Sequence, residues 1–159
     1  MQLRNKVAFV TGGSRGIGRA IVRALAREGA RVVFTCLHKI EPARGLVAEL
    51  EASDAEVMWL QLDVRDRATV RSAIEATVRR FGGLDVLVNN AGINKPADFD
   101  QVSDTDWDEI LAVNLKGPFI CAQEAIPAMR RRGGGSIIHI GSVSGQYGGP
   151  RTAHYAASK

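Results

Sequence analysis

Tyr155 and Lys159 stand four residues apart in the run Tyr155-Ala156-Ala157-Ser158-Lys159. If these residues open a helix, positions i and i+4 share a face and the ammonium lies beside the phenolic oxygen. An unperturbed phenol has a pKa near ~10. A unit charge roughly 4 Å away is worth at most about 4 kcal/mol at an effective dielectric of about 20, or up to about three pKa units. That brings a phenol toward neutrality, where proton transfer is efficient. The same spacing also arises by chance in amphipathic helices, so its weight depends on the rest of the chain.

The second chemical feature is Thr11-Gly12-Gly13-Ser14-Arg15-Gly16-Ile17-Gly18. It follows the apolar run Val7 to Val10 and opens a segment with Ile17, Ile21, Ala24 and Leu25 on one helical face. Strand, glycine turn, helix is the setting of a nucleotide phosphate site. Glycines let the backbone approach a pyrophosphate, and the free N–H groups of the helix start point at its charge. The pattern reads Thr-Gly-x-x-x-Gly-x-Gly rather than G-x-G-x-x-G.

Further elements follow in order: Asp63-Val64, Asn89-Asn90-Ala91-Gly92, Asn114, and Ser142, thirteen residues before Tyr155. On these residues the chain resembles the short-chain dehydrogenase/reductase family over essentially all of its 159 residues. Asn114 to Phe119 and His154 to Lys159 look most like the bacterial 3-oxoacyl-carrier-protein reductases. The resemblance implies a Rossmann-type, doubly wound parallel sheet and nicotinamide cofactor contacts at Gly12, Ser14, Arg15, Gly16, Ile17, Gly18, Asp63, Val64, Asn90, Ala91, Gly92, Tyr155 and Lys159. It implies a catalytic set of Asn114, Ser142, Tyr155 and Lys159. In that scheme Tyr155 donates a proton to the alkoxide formed when hydride reaches a ketone. Ser142 polarises the oxygen, Lys159 holds the nicotinamide ribose and lowers the phenol's pKa, and Asn114 completes a proton relay through an ordered water.

Simpler readings stand beside these. Asp63 could cap a turn, and Asn89 with Asn90 could satisfy loop backbone groups. Asn114, a poor helix former just before Gly117-Pro118, could mark a distorted turn. Ser144 is an alternative to Ser142. Thr35 to His38, after the second strand, include no acid to accept a ribose 2′-OH. Arg15 is placed to pair with a 2′-phosphate, so NADPH is expected over NADH, with a plain surface arginine as the competing reading.

Apolar, β-rich runs alternate with 3.6-periodic segments, the pattern of an α/β fold with crossover helices. Strands are expected at Val7 to Thr11, Arg31 to Cys36, Val57 to Leu62, Leu84 to Asn89 and Ser136 to Gly141. Helices are expected near Ile17 to Glu28, Pro42 to Ala52, Arg67 to Phe81 and Thr105 to Met129. Gly29 ends the first helix, Pro42 suits the first turn of the second, and Ser103 caps the fourth. Trp59 and Trp107 are expected in the core, and Val143 to Thr152 as a glycine-rich loop lining the substrate pocket. One domain spans 1–159, and relative to the family the chain stops after the fifth strand, at the lysine. Activity of this length alone is therefore doubtful, and a non-catalytic nucleotide-binding module is the reading from another class.

The 45% hydrophobic content suits one globular core. No apolar run reaches bilayer length and no signal-peptide pattern precedes Val7, so a cytoplasmic location is expected. Cys36 and Cys121 have no C-x-x-C spacing and read as buried or half-buried thiols; no metal site is indicated. The net charge of +4 comes without aromatic platforms, against nucleic-acid binding. Arg130-Arg131-Arg132 reads as a solvated helix end or as a dock for an acidic acyl carrier protein. The resemblance implies a small-molecule or acyl-thioester ketone as substrate, a homo-oligomer, and a sugar, polyol or steroid dehydrogenase as the alternative enzyme.

Overall fold

The computed structural model describes residues 1–159. In chain order it contains β1 (Val7–Val10), α1 (Gly16–Arg27), β2 (Arg31–Cys36), α2 (Ile40–Glu51), β3 (Val57–Gln61), α3 (Arg67–Phe81) and β4 (Val86–Asn89). A 3-10 turn (Phe99–Gln101) leads to α4 (Asp104–Leu111), a π turn (Ala112–Lys116), α5 (Gly117–Arg131), β5 (Ser136–His139), α6 (Ser144–Tyr147) and α7 (Ala153–Ala157). All strands pair in parallel, in the order β3-β2-β1-β4-β5. This is the Rossmann-type arrangement, in which the order reverses beside the first strand and leaves a crevice at the carboxyl ends.

Alternation along the strands explains why both faces need helices. Val7, Phe9, Val33 and Leu87 point into a core closed by α3 and α5, while Val10, Val32, Phe34 and Val88 point into one closed by α1 and α2. Phe9, Phe34, Leu46, Leu87 and Ile120 are essentially inaccessible, each worth about 1.5–3 kcal/mol of burial. The caps work as expected at two places. Gly29, at φ +84, ends α1 with Gly29 N donating to Ala26 O and Ala30 N to Leu25 O, a Schellman closure. Ser103 Oγ accepts from Asp106 N at 3.1 Å and donates to the Asp106 carboxylate at 2.8 Å.

Four expectations change. The helix expected from Thr105 to Met129 is interrupted by the π turn centred on Asn114. Pro118, four residues on, has no N–H for the Asn114 carbonyl. Gly117 packs so tightly on Val64 that a Cβ there would lie 2.7 Å from Val64 Cγ2. A widened turn relieves both constraints. Second, α2 starts at Ile40, so Pro42 sits two residues inside its first turn, where a missing N–H still costs nothing. Third, Trp107 is 39% exposed because α4 buries only Ile110 fully; Trp59 does pack against the core. Fourth, the Val143 to Thr152 segment holds the single turn α6, with Ser142 Oγ accepting from Ser144 N at 3.2 Å.

At the amino ends of the strands Asp85, 5% exposed, gathers three segments. Its carboxylate accepts from Val7 N at 2.9 Å, Arg132 Nη2 at 3.3 Å and Lys6 Nζ at 3.5 Å. Burial opposes its ionisation, yet the Val7 amide and the Arg132 and Lys6 cations hold the carboxyl below its ordinary value. Arg132 therefore belongs to the frame rather than to an open basic cluster: its stem fills the space beside Gly83. Arg130 and Arg131 lie exposed in the last turn of α5, where cations complement the helix dipole.

Candidate active site and cofactor cleft

The turn between β1 and α1 is held from outside. Asn90 Nδ2 donates to Thr11 O and Gly12 O, both at 3.0 Å, and Thr11 Oγ1 accepts from Asn90 N and Ala91 N, both at 3.0 Å. This geometry requires glycine at 18: a Cβ there would lie 2.2 Å from Gly12 O and 2.5 Å from Asn90 Nδ2. Arg15 occupies the N-cap of α1 in extended conformation with no side-chain capping bond. The first N–H groups of the helix thus face the cleft without an internal partner, the electrostatic form of an anion site.

That cleft has a volume of about 480 Å³ and runs along the carboxyl ends of β1, β2, β3 and β4. Gly12, Ser14, Arg15, Gly16, Ile17, Gly18, Asp63, Val64, Asn90, Ala91 and Gly92 all line it. So do His38 and Lys39 beyond β2, with no acid among Thr35 to Lys39. Arg15 and Lys39 are exposed on the rim, and neither forms an ion pair within the chain. Asp63 is less free than its sequence context suggests. Arg65 Nη2 lies 2.6 Å from it and Arg65 N donates to it at 2.9 Å. The Arg65 guanidinium holds the Asp63 carboxyl below the usual carboxylate range. Arg65 also reaches Glu109 at 3.8 Å, and Lys95 pairs with Glu109 and with Asp106 (2.5 and 2.6 Å). An ionic network therefore borders the cleft from β3 to α4.

Of the four residues expected to do chemistry, Asn114 and Lys159 meet at the other end. Asn114 is 5% exposed; its Oδ1 accepts from Ile93 N, and its Nδ2 donates to Ile93 O and to Ser158 Oγ, each at 2.9 Å. Lys159 follows the last turn of α7, with Nζ donating to Ile140 O at 2.9 Å and lying 5.9 Å from the centre of the Tyr155 ring. Burial pushes its ammonium below the ordinary lysine value. A Cβ on Gly92 would stand 3.3 Å from Asn114 Oδ1 and 3.4 Å from Lys159 Nζ, so both groups meet against one glycine at the end of the cleft. Ser142 lies half-buried beyond β5, on the same carboxyl edge. Tyr155 is half-buried, while His154 beside it is fully buried. Cys36 and Cys121 are free and buried, and burial pushes the Cys121 thiol up to about 12, leaving it inert as a nucleophile.

The family model described as short chain dehydrogenase matches residues 6–159. The chain belongs to the short-chain dehydrogenase family. Across 154 residues it is 42% identical to the 3-oxoacyl-(acyl-carrier-protein) reductase of Staphylococcus aureus strain Mu50, covering 97% of this chain and 63% of the relative. The corresponding reductase of Thermotoga maritima is 41% identical over 159 residues, 100% of this chain and 64% of the relative. At 41% over 158 residues the chain is also similar to a 2,5-dichloro-2,5-cyclohexadiene-1,4-diol dehydrogenase of Sphingobium indicum, covering 99% and 63%. A solved short-chain dehydrogenase/reductase double mutant from Serratia marcescens superposes with a TM-score of 0.93 at 40% identity, covering 100% of this chain and 64% of that one. The chain thus spans just under two thirds of the length of these family members. No helix is long and apolar enough to cross a membrane.

Sequence reasoning missed Lys39, Arg65, Glu109 and Ser158. Lys39 was discoverable as the first cation after β2. Arg65 grips Asp63 only two residues away, whereas Glu109 and Ser158 meet partners distant in sequence.

Proposed function

We propose that this chain carries the cofactor site and the reacting side chains of an NADPH-dependent carbonyl reductase acting on 3-oxoacyl thioesters. One observation supports the reading: the cleft, with two cations, Arg15 and Lys39, unpaired on its rim, ends at Gly92, against which Asn114 and Lys159 meet. The residues present fit a dinucleotide. Gly18 permits the close backbone approach, the start of α1 suits the pyrophosphate, Asp63 and Val64 would flank the adenine, and Arg15 with Lys39 would hold the 2′-phosphate. Asn90, Ala91 and Gly92 would flank the path toward the nicotinamide.

When bound, the nicotinamide supplies hydride. The chain's own residues manage the oxygen. Ser142 Oγ hydrogen-bonds the substrate carbonyl, and Tyr155 Oη delivers the proton as negative charge develops there. Lys159 stabilises the resulting phenolate and holds the nicotinamide ribose. The Asn114 carbonyl, for which Pro118 has no N–H, would order a water that returns a proton toward Lys159. Exposed Arg130 and Arg131 suit an acidic acyl carrier protein. The exposed apolar face of Leu115 and Phe119, beside Leu111, suits a second copy of the chain.

Assay of the protein at its natural length with NADPH and an acetoacetyl thioester tests this. Tyr155→Phe is expected to lower turnover on the order of a hundredfold or more while leaving NADPH binding intact. Near-normal turnover in that variant would refute the scheme. The Sphingobium relative, at nearly the same identity, supports dehydrogenation of a cyclic diol as the second reading, so the same assay includes diols with NAD.

A further inference from the structure

We propose that Ser158 is a positioning residue for Tyr155 and Lys159, its buried hydroxyl fixing the segment that carries them against the π turn at Asn114. The inference rests on the reductase reading above.

α7 has only five residues and no side-chain N-cap, too short to hold its form or placement alone. Its position must come from contacts with the rest of the fold. Ser158, 4% exposed, supplies a directional one. Its Oγ donates to Tyr155 O at 2.7 Å and accepts from Asn114 Nδ2 at 2.9 Å.

Each donor and acceptor in this chain of contacts has one assignment. Ile93 N can only donate, so it fixes Oδ1 as the Asn114 atom facing it. Nδ2 must then serve Ile93 O and Ser158 Oγ with its two hydrogens. The serine has one proton, spent on Tyr155 O, and meets Asn114 with a lone pair. A serine bonding back to a carbonyl three residues earlier is an ordinary helix habit. Accepting a bond from a buried amide 44 residues away is not. The path runs from Ile93, which lines the cofactor cleft, to the backbone of Tyr155, and the residue after Ser158 is Lys159. Removing the hydroxyl leaves a buried Asn114 N–H without a partner and frees α7 to shift relative to the cleft. Reacting groups misplaced by about 1 Å can lose on the order of a hundredfold in rate.

Ser158→Ala in the protein at its natural length is expected to lower kcat on acetoacetyl thioester by roughly tenfold to a hundredfold, with NADPH affinity near wild type. The limb of the kcat–pH profile that reports the phenol should move. Ser158→Thr, which keeps the hydroxyl, should recover most of the rate and the original profile. Ser158→Cys fills the same space with a weak hydrogen-bonding group and stands in if the alanine variant does not fold; it should reproduce the loss. Wild-type kcat with an unmoved profile in the alanine or cysteine variant overturns the proposal, as does lower thermal stability with the profile unchanged. If the wild-type protein reduces no ketone, the reductase reading fails and amide exchange judges the tie by itself. Faster exchange confined to residues 153–159 in Ser158→Cys supports it, and unchanged exchange there removes it.

Discussion

Replacing Gly18 by alanine adds one methyl group where the glycine turn has no room. Its Cβ would stand 2.2 Å from Gly12 O and 2.5 Å from Asn90 Nδ2, well inside the roughly 3.5 Å at which such atoms rest. Either the start of α1 retreats by about an ångström or Asn90 leaves. Overpacking of this kind costs about 1–3 kcal/mol. Losing the two Asn90 bonds to Thr11 O and Gly12 O adds about 1 kcal/mol each. The loss of about 3–5 kcal/mol should lower Tm by roughly 6–20 °C for a domain of this size. Binding should suffer separately, because donors displaced from a phosphate lose about 1.5–3 kcal/mol per charged hydrogen bond. Two such losses weaken NADPH binding on the order of a hundredfold or more, measurable by nicotinamide fluorescence titration. Gly16→Ala is the matched comparison. Gly16 has φ +55 and open space where a Cβ would go, so only the left-handed penalty of about 1–2 kcal/mol applies. If Gly18→Ala melts like Gly16→Ala and binds NADPH like the wild type, the close-approach reasoning is wrong.

Arg15→Ala and Lys39→Ala should each weaken NADPH binding on the order of tenfold and leave NADH nearly unchanged; equal losses for both cofactors would remove the 2′-phosphate assignment. Asp85 governs a pH effect. Its folded pKa lies below the unfolded one, so its stabilisation is complete above about pH 4 and fades as pH falls through the folded value. Asp85→Asn should cost about 1–3 kcal/mol at neutral pH and flatten the acid limb of a denaturation series. Parallel acid limbs for the two proteins would contradict this.

The strands were legible because each is a short, largely apolar run between turn residues, and the burial of β1, β2 and β4 on both faces follows from that composition. The glycine turn was legible because its spacing is set by local backbone geometry. β4 is shorter than its apolar run suggests, since Leu84 and Asp85 serve packing and the carboxylate hub before the ladder begins. The break at Asn114 was half legible: Gly117-Pro118 signals distortion, but the Val64 contact that shapes it comes from the turn after β3. Trp107 misled because periodicity reports which residues share a face, not how much protein covers it. Ser158 on Asn114, 44 residues away, was invisible for a related reason. A side chain's partner is chosen by the folded geometry, and neighbouring residue types do not encode it.

Asp85 pins β1, β4 and the approach to β5 at the edge farthest from the glycine turn. The scaffold is thereby referenced to a fixed point outside the cleft. Loops on the opposite rim can change length or composition without retuning the framework beneath them. Catalysts named for fatty-acyl ketones and for a chlorinated ring diol can then share one chassis and diverge only where cargo enters.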